Sequence, residues 1–223
     1  MKKFDSELAA IHQSVEEMAE LAKSMVSLGV KAVQGRAVDV HGTVAEHEAR
    51  LDQMQTEIDH EAVRLLTVYG PVATDLRDIL VVNHVTAQLE RIGDQVVNVC
   101  ESVDLLQRRL EFTVIPELGK MADLVGEIVD DALSSYLEKD ASKAETTRTH
   151  DDLVDALDAQ ITKKLLSDEV LQDVLKGRTD IAHAFAEILV SRHLERIADQ
   201  AVNICKEVVY LVRGDDVRHM HTE

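Results

Sequence analysis

Apolar positions along the chain recur at the spacing of a helix. Phe4, Leu8, Ile11, Val15, Met18, Ala22 and Met25 are separated alternately by four and three residues, a stripe that faces neighbouring helices along its whole length. No period-two alternation persists long enough to define a strand. Breakers divide the helical pattern. Gly35 ends the first helix, Asp39 or Thr43 can cap the second, and Thr43 with Glu46 has capping-box spacing. Gly70-Pro71 separates the second helix from a third, which Pro71 opens and which runs to about Phe112. Pro116 opens a fourth that carries Met121, Val125, Ile128, Ala132 and Ser135, Asp140 can cap a fifth, and Gly177 to Asp180 lies near the start of a sixth. The expected fold is all-α, six long helices in two tandem and similar three-helix bundles, residues 1–113 and 114–223.

The third and sixth helices carry a repeat. LERIGDQVVNVCESV at 89–103 returns as LERIADQAVNICKEV at 194–208, and the shared residues include Glu90, Arg91, Asp94, Gln95 and Asn98, which apolar packing does not require. On a helix turning about 100° per residue, Leu89, Ile92, Val96, Val99, Val103 and Leu106 fall in one sector and form a buried seam. Glu90, Asp94, Asn98 and Glu101 fall nearly opposite, facing solvent. In the second copy Leu194, Ile197, Ala201, Ile204, Val208 and Leu211 form the seam and Glu195, Asp199 and Asn203 lie outside, while Lys206 stands where the first copy has Glu101.

Carboxylates four residues apart repel across one helical turn, and two copies of such a pair call for a compensating charge. The middle helix of each half adds another pair at the same spacing, Glu48 with Asp52 and Asp151 with Asp155. If the middle and third helices run side by side, each half presents four hard oxygen ligands, enough for a multinuclear cation site, and Asn98 and Asn203 can add carbonyl oxygens or orient the ligands. The competing reading is a solvated charged face relieved by Arg91 and Arg196. His47 and His150 precede the first acid of each middle-helix pair; they read as solvated side chains or as softer ligands for a transition metal. His193 reads as a residue of a helix–helix boundary.

Composition narrows the function. Forty-two acidic against 24 basic residues give a net charge of -18, which disfavours nucleic acid and anionic lipid and attracts cations or basic partner surfaces. The two cysteines, Cys100 and Cys205, are equivalent in the repeat and read as packed thiols in a reducing cytoplasm. No stretch approaches the length of a spanning helix, so membrane contact is expected only through partners.

The segments IDHEAVRLL at 58–66, PVATDLR at 71–77, the two LERI[GA]D segments with their downstream Asn, and VVYLVRGDD near the end together resemble the PhoU family, accessory and regulatory proteins of bacterial phosphate-specific transport. The resemblance covers almost the whole chain. It implies paired three-helix bundles, usually dimeric, without catalysis, that bind clustered metals, iron or zinc in some members. By position the ligands would be Glu48, Asp52, Glu90 and Asp94 in the first half and Asp151, Asp155, Glu195 and Asp199 in the second. It also implies a negative regulator of the phosphate-starvation response, acting on the ATPase subunit of the phosphate ABC transporter and on a phosphate-sensing histidine kinase. PVATDLR is read either as part of a partner face or as a brace in which Asp75 and Arg77 fix the start of the third helix.

Two other readings compete. Paired metals could activate water against a phosphoester, although the chain has no Gly-rich phosphate loop and the acids are expected on exposed helix faces that would not enclose a substrate. A ferritin-like oxidase is weaker still, since that fold calls for two E-x-x-H pairs and only Glu57 with His60 has the spacing. A metal-free helical adaptor would dock its acidic faces on basic partner surfaces.

Overall fold

In the computed structural model, residues 2–36, 40–107, 114–176 and 181–217 are described. They form eight helices and no strand: α1 (Lys2–Val33), α2 (His41–Tyr69), α3 (Ala73–Gln107), α4 (Pro116–Glu138), α5 (Ala141–Arg148), α6 (Asp151–Leu165), α7 (Asp168–Leu175) and α8 (Ile181–Arg213). No helix among the described residues is long and apolar enough to cross a membrane.

The first half is α1, α2 and α3 packed together; the second is α4, the α5–α6 pair and α8. The expected fifth helix is therefore two. Asp140 caps α5 as its side chain allows, with Oδ1 accepting from the amides of Ser142 and Lys143 at 2.9 and 3.0 Å. The helix then stops in a threonine run. Thr147 Oγ1 donates to the Lys143 carbonyl at 2.9 Å and Thr149 Oγ1 to that of Thr146 at 2.7 Å. The amides of Thr149 and His150 turn to the carbonyls three residues back, those of Thr146 and Thr147, at 3.1 and 3.0 Å, tightening the last turn and ending the α-helical ladder. The chain restarts at Asp151, which puts Asp151 and Asp152 in the first turn of α6, where the helix dipole favours negative charge. The short α7 was not anticipated.

Other termini also differ from the sequence reading. Gly70, at φ 55°, ends α2 in the left-handed region and α3 begins at Ala73, so Pro71 belongs to the turn and not to the helix. Thr43 lies within α2, whose N-cap is Val40 without a side-chain bond. Asp39, Phe112, Gly177 to Asp180 and the boundary after residue 113 lie outside the described residues. Pro116 does open α4.

The most extensive helix pairing joins the halves. The repeated helices α3 and α8 pack antiparallel: Gln95 Oε1 lies 3.0 Å from His193 Nδ1, and nearer the start of α3, His84 Nδ1 lies 3.2 Å from Glu207 Oε1 close to the end of α8. His193 thus sits at the helix–helix boundary expected for it. α1 and α4 add a second junction through Lys23 and Asp130 (3.1 Å) and through Gln34, which donates to Asp123 at 2.6 Å. Both seams read from the repeat are buried, all of Leu89, Ile92, Val96, Val99, Val103 and Leu106 in one copy and Leu194, Ile197, Ala201, Ile204, Val208 and Leu211 in the other. They belong to one continuous core that runs through both halves.

PVATDLR and VVYLVRGDD meet in space. The Arg77 guanidinium lies over the Tyr210 ring, 5.8 Å from its centroid, and against Gly214, whose φ of 82° and absent Cβ leave room for it. Arg77 therefore ties the start of α3 to the end of α8, which favours the bracing role over a free partner face.

Candidate metal centres on two helix pairs

α2 packs beside α3, and α6 beside α8, so each half places two acidic pairs on neighbouring helices. Gly93 sits between Glu90 and Asp94 and makes the first approach close: a Cβ there would fall 2.6 Å from Leu51 Cδ1 on α2. In the second copy this position is Ala198, fully buried.

The acids of the first half feel one another. Burial, then the charges of Asp52 and Asp94, raises the Glu48 carboxyl above its ordinary range. Glu90 is raised by burial, Asp94 and Asp52, with Arg91 acting the other way, and Asp94 by burial and Asp52. The second half repeats the pattern more strongly. Asp151 is pushed up to about 6 by burial and by Asp199 and Asp155, against the opposing charge of Lys206. Glu195 and Asp199 are raised as well, each first by burial, then by neighbouring acids. Among the described residues none of these carboxylates forms an ion pair.

Glu90, Asp94, Asn98, Glu195, Asp199 and Asn203 are half-buried and do not face open solvent as the helical wheel suggests. The wheel treats a helix as having one neighbour, whereas α3 is covered by α1, α2 and α8, and the acidic face is the one α2 lies against. Asn98 and the exposed Glu101 line a neighbouring cleft of about 560 Å³ with His41, Asp104 and His193. Asn203 accepts a hydrogen bond from Lys206 Nζ at 3.3 Å. His47 is half-buried with a shielded Nδ1 that has no hydrogen-bond partner among the described residues, and His150 is half-buried as the N-cap of α6, so neither is a freely solvated side chain. Cys100 and Cys205 are buried free thiols, pushed up to about 11 and about 12 mainly by burial.

One acid escaped the sequence reading. Asp158, nearly fully buried, accepts from Ser191 Oγ at 2.8 Å and pairs with Arg192 at 3.0 Å, and its charge reaches Glu195. Its signal was present, because Asp151, Asp155 and Asp158 continue one helical stripe.

The donor chemistry suits hard cations: each half offers four carboxylates from two helices, of which Glu48, Glu90 and Asp94 in the first half and Asp151, Glu195 and Asp199 in the second are half-buried and raised by burial and by neighbouring acids. Among the described residues, no three His, Cys, Asp or Glu side chains converge as they would around a single ion. Helix packing thus gathers the acids without seating their oxygens on one point.

The raised Asp151 has a consequence for stability. A carboxyl that holds its proton more tightly when folded stabilises the fold below its unfolded pKa of 3.8 and loses that contribution as pH rises through about 6. In chelator, thermal stability is expected to increase from pH 7 to pH 5. Asp151→Asn is expected to stabilise the protein at pH 7 by roughly 1 kcal/mol, after discounting for solvent screening, and to flatten this part of the pH profile. Melting curves of the two proteins at both pH values check it.

The comparisons agree with the internal repeat. The PhoU domain model matches residues 15–103 and again 118–208. The chain is 30% identical over 221 residues to the phosphate-specific transport system accessory protein PhoU homologue of Aquifex aeolicus, covering 99% of this chain and 97% of that protein. It is 27% identical over 217 residues to the protein of the same description from Clostridium acetobutylicum, covering 97% of each. The crystal structure of PhoU from Pseudomonas aeruginosa superposes with a TM-score of 0.87 at 30% identity, covering 95% of this chain and all of that one. With the domain found twice, in the two halves that carry the repeated acidic helices, the chain belongs to the PhoU family.

Proposed function

We propose that this protein is a cytoplasmic, metal-binding regulator of phosphate uptake and of the phosphate-starvation response, a homodimer that restrains the ATPase subunit of the phosphate ABC transporter and a phosphate-sensing histidine kinase. Membrane contact comes through those partners. The observation that carries the reading is the setting of two carboxylates of one helix against two of the next, once in each family-matched half. Iron or zinc in a multinuclear cluster would supply the positive charge that these acids lack. Names of accessory proteins among the relatives support regulation over catalysis.

The test is genetic. Deleting the gene is expected to raise phosphatase activity in phosphate-rich medium, and the intact gene is expected to restore repression; repression that survives deletion defeats the regulatory reading. A metal-free helical adaptor is the second reading, favoured by acids that do not converge on one point. Metal analysis of untagged protein purified without chelator separates the two: bound iron or zinc that Glu90→Ala with Asp94→Ala removes supports the first, and metal-free protein the second.

A further inference from the structure

The two acidic clusters are built on the same plan but differ in one charge. Glu101 and Lys206 occupy equivalent places in the repeat, and the structure gives the replacement a location. Asp199, Asn203 and Lys206 follow one another at four and three residues on α8, hence on one face. The Lys206 side chain is half-buried and folds back along that face to donate to Asn203 Oδ1 at 3.3 Å. There its ammonium acts on both Asp151 of α6 and Asp199 of α8. Arg192, paired with Asp158, bounds the same cluster on the Glu195 side. The first cluster has the exposed Arg91 acting on Glu90, and among the described residues no cation is found acting on its Glu48 or Asp94. Its Glu101 adds negative charge next to Asn98 in the adjoining cleft.

We propose that Lys206 is a resident counter-ion of the second cluster, a tethered cation that occupies part of its charge capacity, so that the first cluster takes up divalent metal preferentially and the second binds it more weakly or in smaller number. The proposal rests on the metal-binding reading above. An ammonium held near two carboxylates does for the apo-protein what a soluble cation does at the first cluster, and it repels a second cation that approaches the same oxygens. The two halves therefore respond to different ranges of metal concentration.

The test uses full-length protein with Glu90→Ala and Asp94→Ala, which leaves the second cluster as the Zn²⁺ site to be read. In that background Lys206→Met is expected to tighten Zn²⁺ binding by about tenfold or more, or to add a bound ion, by calorimetry and native mass spectrometry. Lys206→Arg, which keeps the charge, is expected to leave affinity and stoichiometry near those of the Lys206 protein. In chelator Lys206→Met is expected to melt lower than Lys206→Arg, because the acids lose their counter-charge. Equal Zn²⁺ affinity and stoichiometry in all three proteins overturns the proposal. If the protein without any substitution binds no Zn²⁺, iron or manganese, the metal-binding reading itself fails. The melting temperatures in chelator then decide whether Lys206 is a counter-ion, a lower value for Lys206→Met supporting it and an unchanged one overturning it.

Discussion

Zn²⁺ at 100-fold over its Kd for the first acidic cluster is expected to stabilise the protein by about 2.7 kcal/mol, a rise of about 8 °C in Tm for a chain of this size. Glu90→Ala with Asp94→Ala is expected to abolish that share of the shift. The same double variant is expected to melt higher than the unaltered protein in chelator, since it removes two half-buried carboxylates that are both raised by burial and by neighbouring acids, Glu90 by Asp94 and both by Asp52. Opposite signs with and without metal set a binding site apart from a merely structural pair: a structural pair would destabilise in both conditions. A Zn²⁺ shift undiminished in the double variant would place the cation elsewhere. Lower pH is expected to weaken the metal effect, because protons compete for the same oxygens.

Ile92→Ala is expected to lower stability by about 3 kcal/mol through the cavity it leaves in a fully buried seam. The form of unfolding is as informative as the loss. α3 and α8 share the most extensive helix contact, and the core runs through both halves without interruption. Denaturant unfolding is therefore expected to remain one transition, shifted as a whole and followed equally by probes placed in either half. A split into two transitions, with only the first half weakened, would show two bundles that fold independently.

The seams were legible because apolar residues at three and four spacing leave little choice of which face turns inward, and Leu89 to Leu106 and Leu194 to Leu211 are buried as the spacing requires. The pairing of acids across helices was legible for a similar reason: one periodicity places Glu48 with Asp52 and Glu90 with Asp94, and short turns bring the helices together. Periodicity within a helix carries no information about its second and third neighbours. It therefore missed the half-burial of Glu90 and Asp94 beneath α2, and it missed α3 lying along α8. The interruption at Thr149 lies in backbone amides that turn to carbonyls three residues back instead of four, a local geometry that apolar spacing does not register. His47 shows the same limit, since its shielded Nδ1 depends on what lies across from it and not on its place in the repeat.

The antiparallel embrace of α3 and α8 makes the chain resemble two subunits fused into one. In an assembly of identical subunits every substitution appears on both sides at once, so the surfaces are bound to change together. Here the copies are encoded separately. One can keep Glu101 while the other takes Lys206, without disturbing the seam residues that hold them to each other. Covalent duplication thus separates the inheritance of the scaffold from that of the charge it carries, and a fold that began as a repetition is free to divide its labour.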